Sequence, residues 1–84
     1  MKAKEMFEKL GYKIGNDCKY YLLYEKSIVE EPEYENDYLH ISFEKIAETV
    51  IKTYGDDNSV SEITIQELQA INKQVEELGW LKNE

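Results

Sequence analysis

The stretch from Ile63 to Trp80 leaves this chain the least freedom. Thr64 and Glu67 have the spacing of a capping box, in which the threonine hydroxyl accepts the Glu67 N–H and the glutamate reaches back to the Thr64 N–H. Ile63 and Leu68 are placed on either side of the cap as a hydrophobic staple. Leu68, Ile71, Val75 and Leu78 then recur at spacings of three and four, which gathers them into one apolar stripe. Gly79 stops the helix, because glycine enters the left-handed region without a Cβ clash, and Trp80 is positioned to fold back on Val75.

The opening repeats this design on a smaller scale. Ala3, Met6, Phe7 and Leu10 fall on one helical face, with Lys2, Lys4, Glu5, Glu8 and Lys9 on the other. Gly11 is the stop and Tyr12 the residue that folds back on Phe7. Between the helices the pattern changes to a period of two. Gly15-Asn16-Asp17 reads as a turn and Lys19 to Tyr24 as a strand, with Tyr20, Leu22 and Tyr24 on one face and Tyr21 and Leu23 on the other. Leu39, Ile41 and Phe43 alternate with Tyr38, His40 and Ser42, the signature of a half-buried strand. Glu44 to Glu48 serves as the turn and Thr49 to Tyr54 as the returning strand. A helix over Phe43 to Ile51 is the rival reading, and the β-branched run Thr49, Val50, Ile51 and Thr53 favours the hairpin. Gly55 to Ser59 breaks the chain again.

These elements predict one small α+β domain spanning residues 1–84: an N-terminal helix, a three-stranded antiparallel sheet and a C-terminal helix. Both helices are expected on one sheet face, burying Phe7, Leu10, Leu68, Ile71, Val75 and Leu78 against Leu22, Leu39, Ile41, Phe43 and Ile51. The tyrosines of the other face then form an open surface.

Charge narrows the function. Eighteen acids face ten bases, all lysines, for a net charge of -8. Residues 30–37 hold Glu30, Glu31, Glu33, Glu35 and Asp37 and no lysine, and Pro32 bars a central strand there. Duplex-DNA binding needs a basic surface, so direct nucleic-acid binding is not expected. No apolar run approaches a membrane span, and the charged residues of MKAKEMFEKL leave no secretory core, so a cytoplasmic protein is expected.

Recognisable chemistry is scarce. One cysteine, Cys18, cannot pair within the chain, and one histidine, His40, has no motif to orient it. No CxxC, HExxH or EF-hand spacing is present, and the four glycines form no phosphate loop. The expectation is no enzyme, no cofactor and no metal. The acids offer more: ordered carboxylates can mimic phosphate charge and compete for a basic channel. Two separate patches are candidates, Glu30, Glu31, Glu33, Glu35 and Asp37 on one side and Asp56, Asp57 and Glu62 on another. Tyr34, Tyr38 and Tyr54 beside them are of a residue type enriched in binding hot spots.

The string Ile63 to Trp80, ITIQELQAINKQVEELGW, resembles the tail of small phage and prophage proteins of Gram-positive bacteria. Met6 to Tyr12, MFEKLGY, is similar to their first helix, and Ile41-Ser42-Phe43 to their central strand. The resemblance implies a mobile-element origin inside a bacterial host cell, and no reaction or catalytic residue. It points to a partner that is a host or phage protein, in the manner of small acidic inhibitors such as the anti-CRISPRs. The acidic loop 30–37 lies outside the resemblance. The alternative function is an accessory phage protein that forms a homodimer through its open sheet face.

Overall fold

The computed structural model describes residues 1–34, 37–55, 59–60 and 62–81. The chain runs α1 (Ala3–Lys9), β1 (Lys13–Asp17), β2 (Tyr21–Ser27), β3 (Tyr38–Glu44), β4 (Thr49–Tyr54), β5 (Ser59–Val60) and α2 (Ile65–Glu77). The strands form an antiparallel meander in the order β1-β2-β3-β4-β5, so every strand pairs with its neighbours in sequence. Four strands of five to seven residues make the body of the sheet, and β5 adds two residues at the end of β4.

The three-strand expectation is corrected by β1. Gly15-Asn16-Asp17 is not a turn: Lys13 and Ile14 pair with Glu25 and Tyr24, Asn16 and Asp17 with Leu23 and Leu22, and the register slips at Gly15 in a β-bulge. A Cβ at Gly15 would stand 2.8 Å from Glu25 Cδ, so the missing side chain gives the Glu25 carboxylate its place on the sheet. The strand expected over Lys19–Tyr24 starts later and runs on through Glu25, Lys26 and Ser27, which pair with His40, Leu39 and Tyr38. The hairpin is as expected, with Lys45 to Glu48 as its turn and Glu48 in the left-handed region at φ 56°.

Both helices lie on the face that carries Leu22, Tyr24, Ile41 and Phe43. Those four pack with Phe7, Tyr12, Ala70 and Ile71, and Phe7 is the centre. Its ring stacks on Tyr24 at 4.0 Å and meets Tyr12 and Phe43 edge-on at 5.7 and 6.0 Å. Such pairs add to the ~2–3 kcal/mol gained by burying an aromatic side chain. The two helix ends are built alike. The Gly11 N–H donates to Glu8 O and the Tyr12 N–H to Phe7 O; the Gly79 N–H donates to Glu76 O and the Trp80 N–H to Val75 O. With Gly11 at φ 93° and Gly79 at φ 79°, these are two Schellman stops, and they turn Tyr12 and Trp80 back onto the core.

Two core assignments are corrected. Ile51 pairs with Ser42, which puts it on the opposite face and leaves it 47% exposed. Leu68 is 44% exposed on α2, and Ile63 also remains at the surface. Tyr12, Tyr24, Ala3 and Ala70 take the buried positions instead.

Candidate functional site

Antiparallel order decides where the acidic segments emerge. Ser27 pairs with Tyr38 and Leu39 with Tyr54, so β2 ends, β3 begins and β4 ends at one end of the sheet. The Gly55 N–H donates to Tyr38 O at 3.0 Å and ties the end of β4 to the start of β3 there. Loop 28–37 therefore leaves and re-enters the sheet at the end where β4 stops. No lysine occurs between Lys26 and Lys45, or between Lys52 and Lys73.

Within loop 28–37, Glu30, Glu31 and Glu33 are exposed and Tyr34 is 68% exposed. Asp37 has a different role. Its Oδ2 accepts the N–H groups of Glu33 and Tyr34 at 2.9 and 3.2 Å, its own N–H donates to Tyr34 O, and its C=O accepts the Ile28 N–H. Asp37 thus folds the loop and presents the carboxylates of its neighbours. Ser27 fastens the other end through its hydroxyl to Val29. Tyr54 sits at the end of β4, shares its face with Leu39 and is 47% exposed. Glu35, Asp56 and Asp57 lie outside the described residues.

Tyr38 belongs to the open face of the sheet. There it is half-buried and lies against the His40 ring at 6.1 Å, nearly parallel. His40 is not the solvent-facing residue the alternation suggests: it is 8% exposed, with Nε2 at 3.8 Å from the Glu25 carboxylate. Tyr21, Leu23, Ser42, Glu44 and Ile51 share this face, and the Ser42 hydroxyl bonds Glu44. Cys18 is in the turn beyond the Asp17–Leu22 pair, whereas His40 stands opposite Glu25. Three residues of strand, roughly 10 Å, and a further strand separate them, so the structure does not bring them together.

A third cluster, not visible in the sequence, sits on the helix side. The Glu67 carboxylate is held by the Tyr12 hydroxyl at 2.7 Å, the Lys52 ammonium at 2.7 Å and the Thr64 N–H at 3.0 Å. Burial would raise the Glu67 carboxyl, but the bonds from Lys52, Tyr12 and Thr64, with the Lys52 charge, hold it below the usual carboxylate range. Burial and the same carboxylate push the Tyr12 hydroxyl far up. Lys52 also donates to Glu62 O, which fastens the segment leading into α2. Only the Thr64–Glu67 spacing was a signal for any of this; Lys52 and Tyr12 carry none.

Among the described residues no three His, Cys, Asp or Glu side chains are grouped to hold a metal ion, and no helix is long and apolar enough to cross a membrane. Comparison with protein-family models finds no match, and neither do comparisons with curated proteins and with solved structures.

Proposed function

We propose that this chain is a non-catalytic, acidic protein-binding module of phage or prophage type that docks a basic surface of a host protein through one end of its sheet. One observation supports the reading: the meander places exposed Glu30, Glu31, Glu33 and Tyr34 of loop 28–37 at the end of the sheet where Tyr54 is exposed, and the Gly55–Tyr38 bond fastens β4 to β3 there. Glu30, Glu31 and Glu33 attract a basic surface over a Debye length of about 8–10 Å, which speeds encounter and rejects acidic competitors. Tyr34 and Tyr54 supply aromatic area for the contact itself. A host protein whose basic groove normally holds nucleic acid would lose it to such a competitor, which is how the module would inhibit.

The test is capture from a Gram-positive host lysate at low and high salt, with the protein and with its Glu30→Gln/Glu31→Gln/Glu33→Gln variant. A partner retained at low salt, released at moderate salt and missed by the variant is expected. A partner held equally by both forms, or none at either salt, would overturn the reading.

A further inference from the structure

The two edges of the sheet are built differently. β1 forms one of them. The bulge at Gly15 bends it, and Lys13 and Asp17 stand exposed along it. A bulge and exposed charges are common defences of an edge against pairing with another strand. β5 and β4 share the other edge, because β5 pairs only with Thr53 and Tyr54. Among the described residues no strand covers Thr49 to Lys52 on that side. This stretch has β-branched residues at its first three positions and neither proline nor glycine. Lys52, the one charge in β4, is withdrawn from the edge: its ammonium bonds the Glu67 carboxylate at 2.7 Å and its side chain is 6% exposed.

The phase of the ladder decides which backbone groups this edge offers. Residues of an antiparallel strand turn their N–H and C=O alternately to one side and to the other. The Gly55 N–H donates to Tyr38 O, so Gly55, Thr53, Ile51 and Thr49 face β3. Tyr54, Lys52 and Val50 face outward, and Tyr54 meets Ser59 of β5 there. The Val50 donor and acceptor thus point past the edge, with exposed Thr49 and Ile51 beside them on the open face. Such groups take an extended strand as their partner. An antiparallel edge is also its own complement, since a half-turn about an axis at Val50 sets each outward N–H opposite a C=O.

We propose that the Thr49–Lys52 edge pairs with the same edge of a second copy of this chain, antiparallel about a twofold axis at Val50, so that two meanders join into one continuous sheet. Val50 exchanges both backbone bonds with Val50 of the second copy, and Ile51 stands beside Thr49 of that copy, a β-branched pair across the seam. The contact is isologous and closes at two copies. Charge does not oppose it. β4 stops at the acidic end of the sheet, so antiparallel pairing sends the two acidic loops to opposite ends of the dimer. Both loops stay free, and the dimer leaves docking of a basic host protein undisturbed.

Sedimentation equilibrium and amide exchange over a range of concentrations test this. The mass is expected to rise from 9.9 kDa toward twice that value, and to do so at high salt as well as low. Exchange of the Val50 N–H is expected to slow about tenfold or more as the dimer forms, whereas the Ile51 N–H, turned toward β3, is protected at every concentration. Thr49→Lys/Ile51→Lys is expected to stay monomeric with an unchanged far-ultraviolet spectrum, since both side chains are exposed and the change gives the edge the charges it lacks. N-methylation of the Val50 amide, introduced by chemical synthesis, keeps every side chain and removes the outward donor; it should weaken the dimer about tenfold or more. A monomer at every concentration up to the sub-millimolar range overturns the proposal. So does a dimer in which Val50 exchange is unchanged. So does one that survives N-methylation and dissolves on Leu23→Glu, two strands away, which would place the contact on the open sheet face. None of these results touches docking of a host protein, which the capture experiment decides separately.

Discussion

The Tyr12 hydroxyl and the Glu67 carboxylate meet at 2.7 Å although 55 residues separate them in the chain. Lys52 takes the other carboxylate oxygen at 2.7 Å, and both members of that ion pair are almost wholly buried, at 6% and 7% side-chain exposure. One glutamate thus joins Tyr12 just past the α1 stop, the middle of β4 and the first turn of α2.

Glu67→Gln is expected to cost about 3–5 kcal/mol, because it strands the Lys52 ammonium without a counter-charge. Replacing both partners with methionine removes the stranded charge, so Lys52→Met/Glu67→Met should be less destabilised than Glu67→Gln alone. Urea unfolding of the three proteins measures the difference.

Stability should fall at both extremes of pH. The Glu67 carboxyl is lowered in the fold, so its contribution is complete above the ordinary carboxylate range and is lost as pH falls through the lowered value. The Tyr24 hydroxyl behaves in the opposite sense. Burial and the Glu77, Asp17 and Glu8 charges push it up from 10.0 to about 12, so ionisation favours the unfolded chain and stability declines as pH rises across that interval. Thermal melts between acid and alkaline pH test both; Glu67→Gln should flatten the acid limb and Tyr24→Phe reduce the alkaline one.

Gly79→Ala isolates the backbone cost of a helix stop. No atom lies within 4 Å of an added Cβ there, and φ is +79°, so the loss should be about 1–2 kcal/mol of left-handed strain. D-alanine at the same position, introduced by chemical synthesis, should restore stability. A melt of the two peptides decides it.

Asp37→Ala removes the acceptor for two loop N–H groups without touching the exposed glutamates. Amide exchange at Glu33 and Tyr34 should accelerate about tenfold, the equivalent of one ordinary hydrogen bond. Capture of the host partner should weaken with it, although the variant loses only one carboxylate and none of the exposed glutamates.

Where local chemistry sufficed, the sequence was a sound guide. The Thr64–Glu67 box, the Gly11 and Gly79 stops and the alternation over 38–43 each depend on residues a turn or so apart, and each is present. β1 was missed because Gly15-Asn16-Asp17 has turn chemistry, and pairing with β2 overrides that preference. Ile51 was assigned to the wrong face because a strand's face follows its register, which here is set by Ser42 across the ladder. The place of loop 28–37 beside Tyr54 at one end of the sheet required the strand order, and the Lys52–Glu67–Tyr12 cluster required the packing of three elements. Neither leaves a mark in local spacing.

The bond from the Ala3 N–H to the Glu77 carboxylate spans 74 residues. The sheet can assemble by successive short closures, each strand adding to the last, but the helix layer is complete only when the first and last elements find one another. A chain shortened by either helix would leave Phe7 or Ile71 without its cover, so no smaller fragment should hold a native core. The domain is expected to unfold as a single cooperative unit, and the surfaces described above to be gained or lost together.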